Sequence, residues 1–490
     1  MTDVAIIGGG VGGLAVAYNL YKQATAGGEP VPNITIYEAS NRIGGNADTV
    51  QFTFGTGPAG QVINRWADLG VNDFNTTAYT LIVEVMNTIG YKSGTNYKNL
   101  EDSTSYYTGD GSTYFTDSGN SWWGTQMDPK LQASVNSFMT QAGKDAESPK
   151  YHSYTLENYI NEMTPTFGWD PRLGPQVIYP RVNGMYFVSE LGPRNMPFAG
   201  VMHYYKIQEG AGGAAANRCY FVGGASTWID ALVTYMTRTM GIKFVPNFKA
   251  ALMPSGNPRT RGWTIVNTAD ASQNANVDMA VLACHADDAA KAVVTGLPLA
   301  AANTLAQISY ANSVAVAHTD SRLLPVNRNA WSTYNILIHG VGSVALKPYV
   351  INYVANRHQN DAANPDYDRF GLPEFFVSVN PQLPIPENMV LKGADQAPAI
   401  ANLRHNLYDF ACMDAQSLIS AYQGVFNMYY AGGWTHGSGL HEECWQQGID
   451  VASSILQHIK AGAPRDAARQ PDTAKLITDR LAKSASSLGA

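Results

Sequence analysis

The sequence predicts an α/β fold in which a nucleotide-binding domain is assembled from non-contiguous segments, with an α+β domain inserted between them. Three observations predict it. Residues 3–45 read as strand, glycine turn, helix, turn and strand. A second strand that ends on glycines and leads into a helix returns at 428–459. Between them, 79–209 has a different texture, rich in Tyr, Ser, Thr and Gly.

The elements follow in order. The apolar run Asp3–Ile7 ends on Gly8-Gly9-Gly10-Val11-Gly12-Gly13, and Leu14, Val16, Ala17 and Leu20 continue at helical spacing. After a Gly/Pro-rich break at 26–32, Ile34-Thr35-Ile36-Tyr37 forms a second strand that ends on Glu38. The stretch 79–209 holds helical pieces such as 131–142, and Gly210-Ala211-Gly212-Gly213 reads as a loop. Strand-like runs return at 242–245, 262–266 and 279–283, then at 314–318, 350–354 and 375–379. Met428-Tyr429-Tyr430-Ala431 is the last core strand, followed by glycines and a helix over about 440–459. The expected division is 1–78, 210–300 and 425–462 for nucleotide binding, 79–209 and 301–424 for the substrate side, and 463–490 as a polar tail.

Composition narrows the function. The 490 residues are 45% hydrophobic, enough for a sizeable core. The net charge of −7 leaves no basic excess for phosphate backbones, so no nucleic-acid partner is expected. No window approaches the ~20 apolar residues of a membrane span, and the first residues lack the basic start of a secretory signal. Cys219, Cys284, Cys412 and Cys444 are widely spaced, which argues against a disulfide scaffold or zinc site and for a reducing, cytoplasmic setting. His, Cys, Asp and Glu show no metal-ligand spacing, so no metal is expected. Gly437-Ser438-Gly439 lacks the context of a hydrolase nucleophile.

Gly8-x-Gly10-x-x-Gly13 carries the first chemistry. The first glycine permits the tight turn, the second lets backbone approach a pyrophosphate, and the third lets helix pack on strand. The N–H groups of Val11 and Gly12 open the helix and would face phosphates. Glu38 would accept hydrogen bonds from ribose hydroxyls. These residues do not separate one dinucleotide from another. The continuation Glu38-Ala39-Ser40-Asn41-Arg42-Ile43-Gly44-Gly45 does: it resembles the extended fingerprint of flavoproteins in the amine oxidase superfamily. The resemblance implies FAD, with Arg42 reaching phosphate and Gly44-Gly45 passing close to the cofactor. Asn46 stands where the common pattern has a further Arg.

The resemblance extends along the chain. Tyr430-Ala431-Gly432-Gly433-Trp434-Thr435 and Gly437-Ser438-Gly439-Leu440-His441-Glu442 resemble the superfamily's second cofactor segment. Trp66-Ala67-Asp68-Leu69-Gly70-Val71-Asn72 resembles its loop over the ribityl and ring, and Val245 stands where relatives meet adenine through backbone. His285-Ala286-Asp287, His318-Thr319-Asp320 and Asn356-Arg357-His358-Gln359 are similar to a subgroup of predicted NAD/FAD-binding proteins associated with cyclopropane fatty-acid synthases. What this implies is a Rossmann-like FAD-binding domain with an amine oxidase-like substrate domain. The implied activity is hydride transfer from a small organic or lipid-like substrate, amine or acyl-lipid-like, to flavin N5. Redox-neutral isomerisation of unsaturated fatty acids and a non-catalytic FAD-bound protein are the alternatives.

No catalytic acid–base residue stands out. His441 and Glu442 read either as flavin contacts or as a packed His beside a helix-start acid. Cys444 reads as a buried free thiol sooner than a flavin link. His285 and His318 read as satisfied polar residues, and Asp287-Asp288 as a helix cap. Arg181 and Arg194 read as contacts to an anionic substrate group or as solvated surface.

Overall fold

In the computed structural model the described residues are 1–56, 60, 62–109, 113–116, 128–186, 188, 192–208, 217–255, 262–338, 350–361 and 374–462. The loop expected at Gly210-Ala211-Gly212-Gly213 and the expected polar tail lie outside them.

Five parallel strands make the nucleotide-side sheet, in the order Lys243–Val245, Asn33–Tyr37, Asp3–Ile7, Met279–Leu282, Met428–Tyr430. Its inner strands are covered on both faces, which is why they read as continuous apolar runs. Ala5, Ile6, Val281 and Leu282 are fully buried. The helices Val11–Ala26 and His441–Ala461 lie side by side on this sheet. Gly448 makes the approach possible, since a Cβ there would come within 2.4 Å of the Ala15 Cβ. Ser226–Met240 adds Trp228, Ile229 and Leu232 to the same core. Three distant stretches of chain therefore share one hydrophobic core, as the sequence predicts.

A second, seven-stranded sheet runs in the order Ile400–Asn406, Tyr310–His318, Phe376–Val379, Ile351–Val354, Tyr334–Ile338, Thr104–Thr108, Thr113–Thr116. Its pairs are antiparallel except Tyr334–Ile338 with Thr104–Thr108, which is parallel. A row of polar side chains crosses its buried interior. His318 Nε2 meets Ser378 Oγ at 2.7 Å, Ser378 Oγ donates to Asn352 Oδ1, and Asn352 Nδ2 donates to the Tyr107 hydroxyl at 2.6 Å. Each polar group in that row has a partner, which is the condition for burying it at low cost. Three smaller antiparallel sheets complete the chain. Thr49–Thr56 pairs with Val62–Asp68, Arg218–Phe221 lies between Asp73–Asn75 and Tyr97–Asn99, and Ala250–Pro254, Trp263–Asn267 and Asp270–Val277 form a meander.

Packing bears on where the insert begins. The helix Thr80–Thr88 buries Ile82, Val85 and Met86 in the core of the nucleotide-side sheet. Thr104–Thr108 is the first strand to enter the seven-stranded sheet. Tyr91 and Tyr97 fall in the same cluster as that helix, whereas Leu100 falls in the other.

Candidate active site

One cavity of about 900 Å³ runs between the two sheets, at the upper end of the roughly 300–1,000 Å³ of small-molecule sites. Its nucleotide end is made of backbone. Gly8 adopts φ 113°, and a Cβ there would lie 2.6 Å from the Ala283 carbonyl oxygen. Gly12 meets Gly432 so closely that a Cβ at 12 would fall 2.7 Å from the Gly432 Cα. The two glycine turns, far apart in sequence, thus form one cradle. Gly10, Val11, Gly44 and Gly45 continue the wall, with Glu38 and Ala39 beside them. The Glu38 carboxylate is fixed by local chain. Its Oε2 accepts from Gly9 N at 2.7 Å, and its Oε1 accepts from Ser40 N and Oγ at 2.8 and 2.9 Å.

Further along, Gly70, Val71 and Asn72 line the same cavity as Gly433, Trp434, Leu440 and His441. The Trp434 indole donates to the Cys284 carbonyl at 2.9 Å. Burial draws the His441 imidazole down to about 4, so it is neutral at physiological pH, and its ring packs 5.6 Å from that of Trp228. The loop that carries Leu440 is organised by Glu443, which the sequence reading passed over. Glu443 is 4% exposed, and its Oε2 accepts from Ser438 N, Ser438 Oγ and Leu440 N, each at 3.0 Å. Its Oε1 lies 3.0 Å from His203 Nε2.

Five residues expected at the cofactor are not brought to the cavity wall, each for a visible reason. Gly13 faces the strand, where a Cβ would lie 2.1 Å from the Gly8 carbonyl oxygen. Arg42 folds back on its own turn, donating to the Gly45 and Ala47 carbonyls at 2.8 and 3.2 Å and pairing with Asp48 at 3.1 Å. Leu69 is a core side chain, 2% exposed. The Val245 carbonyl accepts from Glu38 N at 3.0 Å, which ties two sheet strands together. Glu442 caps the helix Thr80–Thr88, accepting from Leu81 N at 2.8 Å and Ile82 N at 3.0 Å.

The far end of the cavity is made of side chains. Asp73 Oδ2 accepts from the Tyr334 hydroxyl at 2.6 Å and from Arg218 Nη2 at 2.7 Å, and its Oδ1 accepts from Gln208 Nε2 at 3.0 Å. The Tyr79 hydroxyl donates to Gln208 Oε1 at 2.8 Å. Burial alone would raise the Asp73 carboxyl, but Arg218, His358 and the Tyr334 hydrogen bond outweigh it and hold it below the usual carboxylate range. Arg181, Tyr204 and Tyr353 line the same end. Of this group only Arg181 was a sequence candidate. Arg194 instead pairs with Glu157 at 2.7 Å and stacks on the Tyr179 ring.

The remaining candidates are accounted for. The Cys444 thiol lines the cavity, donates to the Gly439 carbonyl and is pushed by burial up to about 12, which leaves little thiolate for a flavin link. His318 belongs to the buried row of the seven-stranded sheet. His285, Asp287 and Asp288 offer ligand atoms within 4.8 Å of one another. Both carboxylates already hold cations: Arg404 pairs with Asp287 at 2.7 Å and Asp288 at 3.1 Å, and Lys291 with Asp287 at 3.1 Å. Both lie in the first turn of the helix Ala286–Ala292, whose N-cap is His285. Among the described residues no helix is long and apolar enough to cross a membrane.

The cavity therefore fits a dinucleotide. Side-chain-free backbone at the Gly8, Gly12 and Gly432 approaches, an anchored carboxylate at Glu38 and a second turn at Gly433 to Leu440 suit a long cofactor held mainly by main chain. Residues 11–171 match the family described as flavin containing amine oxidoreductase. No curated protein sequence matches the chain. Among solved structures, cyclohexylamine oxidase from Brevibacterium oxydans IH-35A superposes with a TM-score of 0.61 at 15% identity, over 94% of this chain and 99% of that one. Putrescine oxidase bound to putrescine gives 0.55 at 13% identity, over 93% and 99%. A fatty acid isomerase from P. acnes that produces CLA gives 0.58 at 14% identity, over 93% and 99%. Over residues 11–171 the chain therefore resembles the flavin-containing amine oxidoreductases, over most of its length it has the fold of these solved structures, and the family match and the fold imply FAD as the cofactor.

Proposed function

We propose that the protein is an FAD-dependent oxidoreductase that removes a hydride from a carbon of a small organic substrate. The observation that carries this reading is the continuity of one cavity from the glycine cradle to the wall of Tyr79, Tyr204, Tyr334 and Tyr353. Bound in the cradle, FAD supplies a two-electron acceptor at N5. The chain's own residues hold and orient. Gly70 to Asn72 and Gly433 to His441 are placed to flank the ring, and the Asp73–Arg218–Tyr334 network fixes the polar wall a substrate meets.

The lining favours a compact, polar or cationic substrate such as an amine. Cofactor and substrate share about 900 Å³. The far wall's tyrosine rings suit an ammonium group better than an acyl chain, and Arg181 among them suits an anionic group on the same substrate. Redox-neutral isomerisation of an unsaturated fatty acid is the second reading, supported by the likeness in fold to a fatty acid isomerase. One experiment separates the two. The purified yellow protein is mixed without oxygen with primary amines and, separately, with unsaturated fatty acids. Lasting flavin bleaching by an amine supports the oxidoreductase reading. A rearranged fatty acid without lasting bleaching supports the second. If neither substrate class bleaches the flavin or is converted, the protein is an FAD-bound scaffold and both readings fall.

A further inference from the structure

FAD brings two phosphates, and the arginines of its fingerprint do not meet them in this chain. Arg42 is spent on the Gly45 and Ala47 carbonyls and on Asp48. The second position holds Asn46. Other cations line the cavity, yet most are committed. Arg218 is held by Asp73 and Asp102. Arg404 and Lys291 are held by Asp287 and Asp288. Arg181 stands at the far end, where its charge acts on Tyr353.

Lys249 is different. Its position is set by backbone on the Glu38 side of the cavity. Asn247 takes φ 56° and turns the chain. Asn247 N then donates to the Ser40 carbonyl and Phe248 N to the Glu38 carbonyl, both at 2.8 Å. Thr268 N donates to the Lys249 carbonyl at 2.8 Å, so the residue is pinned from both sides. Lys249 lines the cavity, and its ammonium makes no ion pair or hydrogen bond among the described residues. A flexible four-carbon stem on a fixed backbone is well suited to deliver a point charge to phosphate.

We infer that Lys249 is the cation that binds the phosphates of FAD in this chain, in place of the fingerprint arginines. The inference rests on FAD as the cofactor and adds a residue that no family motif marks. A charge-assisted hydrogen bond contributes about 1.5 kcal/mol or more, so its loss is expected to weaken phosphate binding about 10-fold.

The test uses Lys249→Met, Lys249→Arg and, as a control, Lys243→Met, an exposed lysine that does not line the cavity. The loaded proteins are diluted and released flavin is followed by its fluorescence. The flavin-free proteins are titrated with ADP and with adenosine at low and high salt. Lys249→Met is expected to release FAD faster and to bind ADP about 10-fold more weakly, with adenosine unchanged and a flatter salt dependence. Lys249→Arg is expected to restore most of the ADP affinity, and Lys243→Met to behave as the wild type. ADP binding in Lys249→Met equal to the wild type at low salt overturns the inference. So does an equal loss for adenosine, which marks a purely structural role. A wild type that retains no FAD overturns the cofactor assignment instead.

Discussion

The two ends of the cavity are built by different means. The nucleotide end is made of main chain: two glycine turns, at Gly8 to Gly13 and at Gly432-Gly433, and one carboxylate that bonds to its own neighbours. The substrate end is made of side chains from distant parts of the sequence, Asp73, Tyr79, Arg181, Gln208, Arg218, Tyr334 and Tyr353. Main-chain sites need particular residues at fixed local spacing, so they leave a motif. Side-chain sites need only that distant residues converge, so they leave none. Backbone geometry thus builds one end, and side-chain chemistry the other.

Substitutions can break this contrast or sharpen it. The largest effect is expected at Arg218, 5% exposed in its side chain and shared by Asp73 and Asp102. Arg218→Met leaves a buried carboxylate without its counter-ion and is expected to cost about 3–5 kcal/mol, read from urea unfolding. If the two ends are independent, the folded variant still carries its full share of flavin. Loss of flavin from the folded variant means that the ends are coupled. Gly13→Ala acts at the other end. Its Cβ would lie 2.1 Å from the Gly8 carbonyl oxygen, so the turn must move. An overpacking cost of about 1–3 kcal/mol is expected, together with a fall in the visible flavin absorbance per protein.

Between the ends, Asp68 stands two residues before the loop at Gly70 to Asn72. Burial pushes its carboxyl up to about 7, against hydrogen bonds from Thr49 Oγ1 and Ala225 N. Its folded value is above its unfolded one, so its contribution to stability is complete below about pH 4 and is lost as pH rises through about 7. Asp68→Asn, which cannot ionise, is expected to gain stability relative to the wild type across that window. Parallel unfolding curves at each pH check this, and a constant difference sinks it. The smallest contrast is between neighbours. Glu442→Gln turns one of the two acceptors of a helix cap into a donor and is expected to cost about 1 kcal/mol with flavin retention unchanged. Glu443→Gln weakens the acceptor that organises the loop of Ser438 and Leu440, and faster flavin release is expected. Equal release from both variants removes the distinction.

These two glutamates also show where sequence reading stops. They are adjacent at the start of one helix, and nothing in their identity says which faces the loop. One residue of helix rotates a side chain by about 100°, enough to send Glu442 to another helix and Glu443 to the cavity loop. Arg42 marks a second limit. Its place in the fingerprint suggests phosphate, but two carbonyls and Asp48 within reach of its own turn take its donors. The five-stranded sheet was legible because its strands are short apolar runs, two of which lead into glycine turns, after Ile7 and after Tyr430. Tyr334–Ile338 and Thr104–Thr108 were not, because polar residues there are buried through partners that only the assembled sheet provides.

The meeting of Gly12 with Gly432 has a consequence for how the protein is made. A chain grows at about 5–20 residues per second, so the first glycine turn waits on the order of tens of seconds for its counterpart to be synthesised. Through that interval the apolar helix Val11–Ala26 lacks the helix His441–Ala461 that covers it. The cofactor pocket therefore cannot close until Gly432 and the helix after it have left the ribosome, and FAD uptake reports that they have.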